Sequence, residues 1–107
     1  MVEATKTPEM TKRAKWEKIK KELLKLPKRY PKIKEIAISH ELEAIILIVD
    51  PVSVSYELNL YREARILELD YGVNYAGFDI INLDNFPGGY SVKELFGSKF
   101  KMIYERL

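Results

Sequence analysis

The most apolar run of the chain is residues 44–49, Ala-Ile-Ile-Leu-Ile-Val, with no polar residue inside it. A half-exposed strand would alternate, so a short unbroken run of β-branched and aliphatic residues predicts a strand buried on both faces. We extend this central strand over residues 42–49, ended by Asp50-Pro51. Before it, residues 33–39 form a first strand, with Ile36 and Ile38 on one face. Further upstream, Trp16, Ile19, Leu23 and Leu26 recur at helical spacing with lysines elsewhere around the wheel. That pattern predicts an amphipathic helix, started by Thr7 as N-cap with Pro8 and Glu9 in its first turn, and stopped at Pro27. Residues 28–32 then read as an extended basic connector.

Residues 53–71 carry two superposed patterns. Val54, Tyr56, Leu58 and Leu60 alternate as in a strand, while Tyr56, Leu60, Ala64 and Leu67 share a helical row. The Glu-, Leu-, Arg- and Ala-rich composition and Gly72 as a stop favour a helix, with a hairpin strand as the alternative. Residues 78–83 predict a third strand with Asp79 near its start. After a loop holding Pro87-Gly88-Gly89, Ser91 to Glu94 has the spacing of a capping box and predicts another helix start. Phe100, Met102 and Tyr104 alternate and predict a short edge strand at the tail. The fold expected is a small α/β (α+β) domain, a mixed sheet of three to four strands with helices packed on it. Its order is α-β-β-α-β-α followed by the tail strand. Residues 1–8 are expected to be a flexible N-terminus and residues 9–107 a single domain.

Charge changes this picture at one end. Residues 1–34 hold 12 Lys and Arg against 4 Glu, a balance of +8, and the remainder holds 6 against 12, a balance of −6. Lys12, Lys15, Lys18, Lys21, Lys25, Lys28, Arg29 and Lys32 therefore make a candidate nucleic-acid-binding surface on the first helix and connector. The bland reading of the same residues is a solvated, charge-rich helix in a composition resembling that of proteins from hot environments, without Cys or Gln. The absence of Cys excludes disulfides, thiolate metal sites and a thiol nucleophile, and one histidine, His40, excludes a multi-histidine site. No apolar run approaches the roughly 20 residues of a membrane span. Residues 1–9 lack the apolar core of a signal peptide, so a cytoplasmic protein with no membrane partner is expected.

Glu41 and Glu43 stand one residue apart at the mouth of the central strand, a spacing that aims both carboxylates to one side of a strand. The acidic pair leading into Ala44-Ile45-Ile46, the step Phe78-Asp79-Ile80-Ile81, and the closing residues 92–106 resemble the minimal nucleotidyltransferases of the polymerase-beta-like superfamily. The resemblance covers roughly residues 10–106 in order of elements. It implies a magnesium site built from Glu41, Glu43 and Asp79, with Ser39 in the place of a phosphate-binding Gly-Ser turn. Two departures weigh against activity: no glycine precedes Ser39, and Glu41 follows it by only two residues, which removes the phosphate cradle. Glu41 also replaces the usual Asp. The resemblance thus implies a non-catalytic nucleotidyltransferase-like domain without cofactor, acting through a protein partner or self-association. Nucleic-acid binding by the basic helix is the first alternative, and a divergent magnesium-dependent nucleotidyltransferase the second.

Overall fold

A computed structural model describes residues 11–85 and 97–106. The described chain forms helix α1 (Lys12–Leu23), a single helical turn α2 (Leu26–Arg29), strands β1 (Ile33–Ser39) and β2 (Ala44–Val49), helix α3 (Val54–Tyr71), and strands β3 (Gly77–Asn82) and β4 (Lys101–Glu105). The four strands make one mixed sheet in the order β3-β2-β1-β4. β1 is antiparallel to both β2 and β4, and β2 is parallel to β3. Parallel neighbours need a crossover, which α3 supplies. This is the small α+β architecture expected from the sequence. Among the described residues no helix is long and apolar enough to cross a membrane.

β2 is buried along its whole length because both of its faces are covered. Ile45, Leu47 and Val49 join Ile36 and Ile38 of β1 in a cluster with Trp16, Ile19, Leu23, Leu26, Leu60 and Leu67 from the helices. On the reverse face Ala37, Ile46 and Ile48 pack with Ile81, Leu83, Phe100 and Met102. Each aliphatic side chain so buried contributes about 1.5–3 kcal/mol. The register Ile36–Leu47 and Ile38–Ile45 is specified by that patterning, since a slip of one residue would exchange the two faces.

α3 has local signals at both ends. Ser53 Oγ accepts from the Tyr56 N–H at 3.2 Å, and Glu57 sits in the first turn, where the helix dipole favours an acid. Gly72 ends the helix with φ 64°, a left-handed conformation that residues with a Cβ adopt at a cost. The next residues are held by the helix itself. Glu68 accepts from the Tyr75 N–H at 2.6 Å, and the Tyr75 hydroxyl donates to the Ala64 carbonyl at 3.1 Å. Burial, then the Glu68 carboxylate, pushes the Tyr75 phenol well above its ordinary range, so it remains a donor.

Several sequence expectations are corrected. α1 opens at Lys12 with Thr11 as its cap, whose Oγ1 accepts from the Ala14 N–H at 3.1 Å; the expected Thr7–Pro8 start lies outside the described residues. Pro27 does not stop the first helix, which ends at Leu23, but sits in the first turn of α2, where its missing N–H costs nothing. Lys28 and Arg29 are accordingly helical, and the basic connector is not extended throughout. The tail is an edge strand, but its alternation is broken. Tyr104 pairs with Ile36 and Met102 with Ala37, which leaves Ile103 as an extra residue, and both Ile103 and Tyr104 pack on the helix side. The expected loop at 87–89 and helix start at Ser91 lie outside the described residues.

The tail is pinned by charge as well as by the ladder. Asp50 Oδ2 accepts from Arg106 Nη1 at 2.8 Å, and the Arg106 N–H donates to the Lys34 carbonyl at 2.8 Å. The Arg106 hydrogen bond holds the Asp50 carboxyl below the ordinary carboxylate range. A carboxyl with a depressed folded-state pKa contributes stability that is present above its unfolded pKa and is lost as pH falls through the folded one. Asp50→Asn should therefore destabilise by about 0.2–1 kcal/mol at pH 7, and the difference from the parent should shrink as pH falls below the ordinary carboxylate range. Urea titrations across that range test it; a difference unchanged down to pH 2 would contradict it.

Candidate functional site

The acids singled out in the sequence are not gathered. β2 begins at Ala44, so His40 to Glu43 form the turn between β1 and β2 rather than the first residues of the strand. The two-residue alternation that would align Glu41 with Glu43 does not apply there. Glu43 has φ 52°, its carbonyl accepts from the Ala76 N–H at 2.8 Å, and its carboxylate pairs with the Lys12 ammonium on α1. Asp79 lies opposite Ile46 in the parallel β2–β3 ladder and so shares the pleat face of Ile46 and Ile81, away from the helices. Among the described residues no group of three or more His, Asp and Glu is placed to hold a metal ion. Ser39 is buried, and its Oγ accepts from the Leu42 N–H at 3.1 Å, stabilising the turn.

The basic residues named from the sequence are dispersed. Lys12 pairs with Glu43, Lys25 with Glu22, and Arg29 with Glu63, whose carboxylate also accepts from the Tyr30 hydroxyl. A Cβ at Gly72 would lie 3.9 Å from Lys15 Nζ, so Lys15 reaches the C-terminal end of α3, where a cation is favoured. Lys18 and Lys21 point outward, and Lys28 and Lys32 are exposed beyond α1. They do not form one stripe because residues three apart on a helix drift steadily around it.

A different set of cations does converge. One flank of α1 presents Lys12, Arg13 and Lys20 across a groove from Lys101 on β4. The groove has a volume of about 560 Å³ and a floor of Ile38 and Ile103, and Trp16 and His40 line it too. The His40 ring stands edge-on to the Trp16 indole with centroids 6.0 Å apart. Glu17 is the acid on its wall. Reading the sequence for lysines missed this groove, since Lys20 and Lys101 meet only through the β1–β4 pairing. The one local signal was the row Lys12, Trp16, Lys20 at four-residue spacing.

A second feature was present in the sequence but unassigned. α3 buries Leu60, Ala64 and Leu67, and on its opposite side it exposes Val54 (70%), Leu58 (57%), Tyr61 (40%), Ile66 (47%) and Leu69 (67%). Val54, Leu58, Tyr61 and Leu69 follow one row, interrupted by Arg65, with Ile66 at its margin. Beside Tyr61 is an open dimple of about 240 Å³, walled by Ala64, Arg65, Glu68, Tyr75 and Phe78. Its aromatic wall is rigid: Tyr61 meets Phe78 edge-on at 5.4 Å, and Phe78 stacks on Tyr75 at 5.9 Å.

No protein-family model, curated protein or solved structure matches this chain.

Proposed function

We propose that the protein is a non-catalytic assembly module, nucleotidyltransferase-like in its order of elements, that pairs with a second copy of itself through the outer face of α3. The observation that carries this reading is the solvent-side row of large apolar side chains on a helix whose other side already packs the core. Single exposed apolar residues need no explanation, but five on one side of one helix, broken only by arginine, do. The five side chains expose on the order of 500 Å² in one copy, so two copies would bury about 1,000 Å², the lower bound for a specific interface. A two-fold antiparallel pairing about the middle of the row sets Val54 of one copy against Leu69 of the other, with Tyr61 near the axis. The dimple beside Tyr61 offers a hole for an apolar knob from the second copy. The separation of Glu41 and Glu43 from Asp79, and the engagement of Ser39 in its own turn, support the non-catalytic part of the reading.

Light scattering after size exclusion tests the proposal. The expected mass is twice the 12.5 kDa of the chain. Leu58→Glu or Leu69→Glu should weaken pairing by about 100-fold or more, because dimerisation would then lose an apolar contact and desolvate a carboxylate. The circular dichroism of either variant should match that of the parent. A parent that remains monomeric at about 100 μM, or glutamate variants that pair as well as the parent, would overturn the reading.

A further inference from the structure

We infer that the groove between α1 and β4 binds a short stretch of single-stranded nucleic acid, independently of the α3 face. The charge is suited to a polyanion: against one wall acid, Glu17, the groove sets Arg13, Lys20 and Lys101, none of them in an ion pair among the described residues, and Lys12, which pairs with Glu43. Lys12 and Lys20 are separated by eight residues of α1, a rise of roughly 12 Å, which exceeds what one phosphate can bridge and matches a ligand carrying phosphates in succession. The groove is also amphipathic. His40 is exposed, its ring braced edge-on by the buried Trp16, and Ile38 and Ile103 provide an apolar floor. A cationic channel beside an exposed ring is how proteins hold unpaired strands with little sequence preference, the phosphates taking the cations and a base stacking on the ring. A duplex hides its base faces and would leave His40 and the floor unused. The site comprises residues far apart in the chain, and Lys12 is the one member it shares with the lysines that the sequence singled out.

The test is fluorescence anisotropy of labelled ten-nucleotide dT and rU oligomers with the full chain, repeated over a salt series. Binding should be micromolar at low salt, with a log–log salt slope of about −2, as for three phosphate contacts on a single strand. Lys20→Glu and Lys101→Glu should each weaken binding at least tenfold, and His40→Ala about threefold to tenfold. Lys18→Glu and Lys21→Glu carry the same change of charge on the outward side of α1 and should leave affinity within twofold. Trp16, the single tryptophan, should report occupancy by a change in its intrinsic emission. Equal losses in both pairs of lysine variants would overturn the inference in favour of diffuse attraction. Tripolyphosphate binding as tightly as the oligomers, a duplex binding better than a single strand, or no binding at low salt would overturn it as well.

Discussion

Trp16→Ala should cost about 3–5 kcal/mol of folding stability, most of what a small domain can lose and still fold. The melting temperature should drop by roughly 10–20 °C. Trp16 is 2% exposed and is the largest side chain that α1 contributes to the core. Its ring packs against Tyr75 with centroids 5.8 Å apart, and Tyr75 is in turn bonded to Ala64 and Glu68 of α3. A truncation here opens a cavity at the seam of α1 with the α3–β3 connection, where hydrogen bonds restrain collapse. Circular dichroism melts of Trp16→Ala beside Trp16→Phe, which keeps most of the ring, give the measurement. An alanine variant within 1 kcal/mol of the parent would show that α1 is not anchored through this residue.

Asn82→Asp should be the next most damaging change, although it alters one atom. Asn82 is buried at the end of β3. Its Nδ2 donates to the Val52 carbonyl and to Glu57 Oε2, both at 2.9 Å, while its Oδ1 accepts from the Asp84 N–H at 3.0 Å and the Val52 N–H at 3.4 Å. The side chain thereby joins the end of β3 to the β2–α3 connection and the first turn of α3. In the Asp variant an oxygen replaces the donor and faces two acceptors, one of them a carboxylate. The loss should be about 3 kcal/mol or more at pH 7. Burial and the neighbouring carboxylate raise the pKa of the new carboxyl above its unfolded value. Its penalty belongs to the charged form and should shrink as pH falls through that raised pKa, when protonation restores a donor. Urea unfolding at pH 7 and at pH 4.5 measures this; a variant within 0.5 kcal/mol of the parent at pH 7 would contradict the role given to Asn82.

The elements that could be read in advance are those whose signals are local. Residues 33–39 have the observed bounds of β1, and the Gly72 stop ends α3 despite the competing alternation at 54–60, while its Ser53 cap is visible only in the structure. Helical burial of Leu60, Ala64 and Leu67 outweighed that alternation, because the row that reaches the core has a period of 3.6 residues. The acidic pair misled for a related reason. Strand periodicity does not hold before Ala44, in the turn where Glu43 takes a left-handed conformation and aims its carboxylate at Lys12. Pro27 was read as a stop when it was equally suited to start a turn.

By itself, then, the chain determined its class, its two-sided central strand and the glycine stop of its longest helix, since each depends on neighbours a few residues away. Only the tertiary structure decided which charges meet. β1 accepts β4 at its free edge, which carries Lys101 to α1, and the β2–β3 register sets Asp79 beside Ile46 on the face away from the helices. Such meetings depend on strand order and pleat, and these are set by how the whole apolar set is best buried rather than by any short stretch of sequence.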